Sequence, residues 1–70
     1  MAEFFLVRVY YTDGARPIAR IIQPTITDAL AYAQEQAMLR EVRQADVITP
    51  AQGILWAQFT LLWEAAEAGQ

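Results

Sequence analysis

Residues 4–11 read Phe-Phe-Leu-Val-Arg-Val-Tyr-Tyr and lead directly into Thr12-Asp13-Gly14-Ala15. Aromatic and β-branched side chains are typical of a pleated strand, and Asp-Gly is a strong hairpin signal because glycine readily takes a positive φ. The stretch therefore predicts a β-hairpin. Its return strand would run over residues 17–23, since Pro17 is tolerated at the start of a strand and Pro24 would end it.

The register of this hairpin depends on the length of its turn. A two-residue turn would pair Val9 with Ile18, and a four-residue turn would pair Val9 with Arg20. Both registers stay open at this point. In either case the residues of the first strand alternate between two faces, and we expect the odd positions to face the rest of the domain: Phe5, Val7, Val9 and Tyr11.

A helix is predicted to follow the hairpin, from Thr25 to about Arg43. Thr25 followed three residues later by Asp28 is typical of a capped helix start, and the interior holds neither glycine nor proline. Arg40 and Arg43 would then lie in the last turn, at the negative end of the helix dipole. One helical stripe carries small and apolar side chains that would let the helix approach a sheet closely: Ile26, Ala29, Leu30, Ala33 and Ala37.

The last third of the chain fits two structures. As strands, residues 46–49 lead into a turn at 50–53 and a strand at 54–62, whose odd positions are apolar. As a helix, Thr49-Pro50-Ala51-Gln52 would be a capping box with proline at the first helical position. Strand-forming residues dominate, so we favour the second hairpin, with a short helical tail over residues 64–68.

The predicted fold is therefore a single α+β domain over residues 1–70, β-hairpin–α-helix–β-hairpin (ββαββ) with a short C-terminal helical tail. The alternative is ββαα. Seventy residues allow one small domain, because two would each fall near the limit for unaided folding.

Several residue types are missing, and their absence narrows the function. The chain has no His, Cys, Lys, Ser or Asn. This excludes disulfides and thiolate metal sites and removes most nucleophiles and the usual neutral-pH base. Glu64 and Glu67 would share one helical face, but a solvated face explains them better than a catalytic pair. We expect no enzyme activity, no metal site and no cofactor.

We expect neither a targeting signal nor a membrane segment in this chain. Its start lacks the basic region of a signal peptide, and the longest apolar run, residues 29–33, is too short to span a bilayer. We expect a cytoplasmic protein. The lack of Lys and Asn beside 13 Ala indicates GC-rich coding, hence a bacterial or phage source.

The chain is 56% hydrophobic, although 13 of these residues are Ala. We interpret the excess as apolar surface left over after folding, and the alternative is an ordinary core with many alanines. If the odd positions of the first strand face the helix, its even positions point away, together with the even positions of strand 54–62. Tyr, Trp and Arg dominate the hot spots of protein interfaces. The residues expected to bind a partner on this second face are Phe4, Leu6, Arg8, Tyr10, Arg20, Trp56 and Leu62. The alternative is that the C-terminal tail, or a differently placed helix, covers this face within the monomer.

These observations predict a small non-catalytic protein-interaction module, a homodimer that acts by occupying a surface of a partner protein. In size and element order the chain resembles some phage-encoded inhibitors of bacterial defence, including certain anti-CRISPR proteins. That resemblance implies a phage or bacterial inhibitor or regulator.

Two alternatives belong to other classes. One is a single-stranded nucleic-acid binder that uses Phe4, Arg8, Tyr10 and Arg20, although the net charge of −3 opposes phosphate binding. The other is a small-ligand binder with a cleft between the sheet and the helix.

Overall fold

The computed structural model describes residues 4–69 as a four-stranded antiparallel sheet with two helices, in the strand order β2-β1-β3-β4. The α+β prediction with two hairpins around one helix is confirmed, and the ββαα alternative is wrong because the second hairpin forms. The elements are β1 Phe5–Tyr11, β2 Ala19–Gln23, α1 Ile26–Ala37, β3 Val42–Thr49, β4 Ile54–Thr60 and α2 Leu62–Ala68.

The first hairpin forms at the predicted Asp-Gly turn. The Oδ1 atom of Asp13 accepts hydrogen bonds from the backbone N–H groups of Ala15 (3.1 Å) and Arg16 (3.3 Å), and Gly14 has a φ of +67°. The bond from the Arg16 N–H is the main reason why the pKa of Asp13 lies below its usual value. Such a carboxylate-bridged turn favours Asp followed by Gly.

Both predicted registers of this hairpin are wrong. Val9 pairs with Ala19, and β2 begins at Ala19 rather than at Pro17. This register places Ala19 and Ile21 on the side of the core. Arg20 and Ile22 therefore point to the opposite side of the sheet, since neighbours in a strand alternate.

Helix α1 starts as predicted and ends earlier than predicted. The Oγ1 atom of Thr25 accepts from the backbone N–H of Asp28 at 3.1 Å, which confirms the cap. The helix stops at Ala37 rather than near Arg43, so Arg40 and Arg43 do not lie in its last turn. Nothing in the helix-forming sequence stops it there; Val42 belongs to β3, where its side chain is fully buried, and tertiary packing overrides propensity.

The core lies between α1 and one face of the sheet. Valine side chains from the two central strands, Val7, Val9 and Val47, are at most 1% exposed. They meet the predicted small-residue stripe of the helix, whose members Ala29, Ala33 and Ala37 are fully buried. Alanine on this stripe brings the helix axis close to the sheet, as predicted from the sequence.

The second hairpin turns at Pro50–Gly53 and carries a bulge in β4. Val47 pairs with Ala57, but the next residue, Ile48, pairs with Leu55, so Trp56 is the extra residue. After β4 the chain turns sharply at Leu61, which has a φ of +51°, and enters α2.

Helix α2 lies on the same side of the sheet as α1. Leu62 packs against the core, Trp63 Nε1 donates to the carbonyl oxygen of Val42 at 3.2 Å, and Glu67 forms an ion pair with Arg40, just beyond the end of α1. Neither helix covers the opposite face of the sheet. Among residues 4–69, no helix has both the length and the apolar character needed to cross a membrane.

Candidate functional site

The uncovered side of the sheet is the candidate site, and we call it the open face. Side chains from all four strands line it in rows that run across the strands, because directly paired residues share a face. The open face consists of Leu6, Arg8, Tyr10, Arg20, Ile22, Gln44, Asp46, Ile48, Leu55, Gln58 and Thr60.

The first row of the open face is apolar across the whole sheet. Leu6 pairs with Ile22 on one side and with Ile48 on the other, and Ile48 pairs with Leu55. The two outer members of this row, Ile22 and Leu55, are 65% and 54% exposed. This apolar row therefore presents aliphatic surface that the described chain does not cover.

More apolar surface lies at the same end of the sheet. Phe4 precedes β1 and is 40% exposed, Ile54 begins β4 and is 41% exposed, and Trp56 is 52% exposed. Trp56 lies toward the helix side, where its ring meets Phe5 edge-on at 6.2 Å and its Nε1 donates to the hydroxyl of Thr49. The apolar surface thus continues from the open face around the end of the sheet.

The second row is polar and contains a buried ion pair. Asp46 is 3% exposed although it lies on the open face, and its carboxylate accepts from Arg8 Nη2 at 3.2 Å and from Gln44 Nε2 at 3.0 Å. The Nε of Arg8 is buried and bonds to none of the described residues. The pair holds the Arg8 guanidinium at Asp46, with the Arg8 side chain one-third exposed.

Arg20 is the unusual member of this polar row. It lies directly opposite Arg8 in the hairpin, and like charges in that position destabilise a sheet. Arg8 is compensated by Asp46, whereas no ion pair to Arg20 forms among residues 4–69. Arg20 therefore presents an uncompensated positive charge beside the apolar row.

The third row adds an aromatic ring and a further cation. Tyr10 lies on the open face, and the guanidinium carbons of Arg8 and Arg43 are 5.9 Å and 5.4 Å from its ring centroid. Three of the five arginines thus lie on or against this face, with Asp46 as their carboxylate. The remaining described acids, including Asp28, lie off the open face, so an acidic chain carries one positively charged side.

The structure places four of the predicted binding residues together on the open face: Leu6, Arg8, Tyr10 and Arg20. Phe4 lies just before β1, at the apolar end. Whether these residues bind a partner stays a prediction.

Two of the predicted residues do not lie on the open face. Trp56 is shifted toward the helix side because the bulge breaks the strict alternation of β4. Leu62 belongs to α2 and packs against the core, because the strand ends at Thr60. The alternative in which the tail covers this face is wrong, since α2 docks on the other side.

Sequence reasoning missed several members of the site. Leu55 was expected to face the core and lies outside, again because of the bulge, for which the sequence carries no turn residue as a signal. Ile22 was missed because both predicted registers were wrong. Asp46 is the one acidic residue of strand 42–49 and stands between Ala45 and Val47, which is a signal of this member in the sequence.

Comparisons with protein-family models, with curated protein sequences and with solved structures found no match to this chain.

Proposed function

We propose that this protein is a non-catalytic interaction module that binds another protein through the open face. The apolar row carries this proposal: four aliphatic side chains, one from each strand, lie side by side and the outer two are more than half exposed. Contiguous exposed apolar surface rimmed by polar groups marks interaction sites in folded proteins.

The polar part of the face supports the same function. Arg8 is held by Asp46 and lies against Tyr10, and Arg43 lies against the same ring. Arginine and tyrosine give interfaces much of their binding energy because each buries a large area and retains a polar group. A rigid sheet presents them with little loss of conformational entropy.

Protein fits this face better than single-stranded nucleic acid. Nucleic-acid-binding sheets stack bases on aromatic rings from adjacent strands, whereas Tyr10 is the one ring among the paired outward positions of residues 4–69. The aliphatic row offers nothing to which a phosphate or a sugar would bind. The small-ligand alternative has weaker support, because fully buried alanines fill the layer between α1 and the sheet.

A non-catalytic binding protein can affect its partner only by covering part of the partner's surface. We therefore propose that this protein is a regulator or an inhibitor. We also propose that a second copy covers the apolar row when no partner is present. In such a dimer the two apolar rows would pack against each other along a two-fold axis parallel to both rows. The arginines of the two copies would then lie on opposite sides of the paired rows.

The proposal is tested by affinity enrichment from an extract of the native host, with two variants of matched chemistry. Ile22→Glu places a charge in the apolar row, and Met38→Glu places one at a residue 49% exposed just beyond α1, on the helix side. We expect the wild type and Met38→Glu to retain the same partner and Ile22→Glu to lose it. Circular dichroism confirms that both variants fold. A partner that Ile22→Glu retains, or one that only Met38→Glu loses, would show that the open face is not the binding surface.

A further inference from the structure

The open face combines an apolar row with a flank of positive charge, and this combination specifies its partner. Resting on the function proposed above, we infer that the occupant is an acidic amphipathic helix of a partner protein, laid across the strands. Its apolar stripe would pack on Ile22, Leu6, Ile48 and Leu55, and its carboxylates would face the arginines beside them.

The spacing of the apolar row favours a helix over a strand. Neighbouring strands lie about 4.8 Å apart, so the row spans about 14 Å from β2 to β4. A helix offers one apolar side chain per turn, about 5.4 Å apart, and four of them span about 16 Å. Same-face side chains of an extended strand are about 6.8 Å apart and would span about 20 Å. Over the length of the row a helix offers one side chain to each of its four residues, with a mismatch of about 2 Å, whereas an extended strand offers only three.

The charges determine which helix fits. Arg20 lies one row from Ile22 on the same strand and has no ion-pair partner among the described residues. Its position opposite Arg8 is unfavourable in the free protein, and a carboxylate on the flank of the bound helix would compensate the charge of Arg20. A basic helix would add to the repulsion, since like charges brought together at an interface oppose binding.

Arg43 extends the same flank. It is the bulged residue between Gln44 and Val42 opposite β1, is exposed, and lies against the Tyr10 ring at 5.4 Å. The positive charge therefore extends from the second row to the third, where Arg43 adds to the attraction for an acidic helix without lying beside the apolar row.

The experiment uses two stapled peptides of about 14 residues as probes. Both carry leucines spaced i, i+4, i+7 and i+11, and one flank of this stripe bears glutamates in the first peptide and lysines in the second. Fluorescence anisotropy measures the binding of each to the full chain. We expect the acidic peptide to bind about tenfold or more tightly than the basic one at low salt. The difference should shrink at about 0.5 M salt, where the Debye length is only a few ångströms.

Matched variants assign the preference to the open face. Arg20→Gln and Gln34→Glu change the net charge by the same amount, but Gln34 lies on the exposed side of α1. We expect Arg20→Gln to weaken binding of the acidic peptide about three- to fivefold, as for one exposed ion pair, and Gln34→Glu to leave it unchanged. Equal effects of the two variants would overturn the inference.

Other outcomes are equally decisive. Equal affinity for both peptides, or no binding of either at concentrations where the protein is monomeric, overturns the acidic helix. Tighter binding of an oligo(dT) strand, or of vesicles rich in anionic lipid, assigns the positive flank to a different class of ligand and also overturns it. If the native partner is lost from Ile22→Glu while the peptides show no charge preference, the open face still binds protein and only the acidic helix is wrong.

Discussion

Asp46 is the buried carboxylate of the open face, and two side chains bond to it. Arg8 and Gln44 both donate hydrogen bonds to its carboxylate. Asp46 is only 3% exposed, so water has little access to it. A buried ion pair contributes little net stability, but removing one partner leaves the other without compensation. Asp46 therefore holds Arg8 in the orientation that the open face presents.

The change Asp46→Asn should destabilise the fold by about 2 kcal/mol, since it leaves the half-buried Arg8 without a countercharge. Urea unfolding monitored by circular dichroism measures the loss. Glu35→Gln on the exposed side of α1 is the control and should be neutral. A loss below about 0.5 kcal/mol would mean that solvent, and not Asp46, compensates Arg8.

Replacing Arg20 is expected to stabilise the fold, in contrast to replacing Asp46. Because Arg20 lies directly opposite Arg8, replacing it by Gln should raise the free energy of unfolding by about 0.2 to 1 kcal/mol through relief of like-charge repulsion. Weaker partner binding together with greater stability is the pattern of a residue kept for function. If urea unfolding shows Arg20→Gln to be less stable than the wild type, Arg20 has a structural role instead.

At the scale of the elements, α1 approaches the sheet through its alanines. Ala33 is fully buried, and Ala31, in the same helical turn, is exposed. Ala33→Leu should cost about 1 to 3 kcal/mol, because added methylene groups would push α1 away from β1 and β3. Ala31→Leu introduces the same side chain on the outside and should change stability by less than about 0.5 kcal/mol. Thermal unfolding of the pair compares them directly, and equal melting temperatures would contradict the close packing.

Elements whose signal is local in the sequence could be predicted, whereas features set by tertiary packing could not. The Asp-Gly turn, the Thr25 cap and the alanine stripe are local signals and were predicted correctly. The end of α1 and the Trp56 bulge are set by tertiary packing: Val42 is drawn into β3 by burial, and β4 shifts by one residue against Ile48. Alternation alone therefore placed Leu55 and Trp56 on the wrong sides, and with them part of the predicted site.

The register of the first hairpin is likewise not determined by local sequence signals. A shift of one residue in the pairing exchanges the two faces of β2. Neither predicted register could place Arg20 and Ile22 where the observed pairing of Val9 with Ala19 places them. Predicting an open face with Leu6, Arg8 and Tyr10 was possible from β1 alone, whereas the apolar row required the paired sheet.

At the scale of the whole molecule, the open face carries the apolar row and positive charge, and the two helices on the other side carry negative charge. An acidic chain with a net charge of −3 carries its open face positive. Of the seven acids among residues 4–69, four lie on the two helices: Asp28, Glu35, Glu64 and Glu67. Such a division favours one orientation of approach by a partner and gives the molecule a defined binding side.

The free chain should self-associate through the apolar row. Light scattering is expected to show a mass that rises above 7.9 kDa toward twice that value with concentration, and Ile22→Glu is expected to stay at the monomer mass. A wild-type mass of 7.9 kDa across the micromolar range would remove the homodimer without affecting the proposal of a separate partner.

The measurement that tests the open face most directly is photo-crosslinking at single positions. A benzophenone side chain at Ile22 lies on the open face, and one at Ala31 lies on the exposed side of α1. In an extract of the native host, position 22 should crosslink to a second polypeptide and position 31 should not. Crosslinking from position 31 alone, or from neither position, would contradict a protein-binding role for the open face.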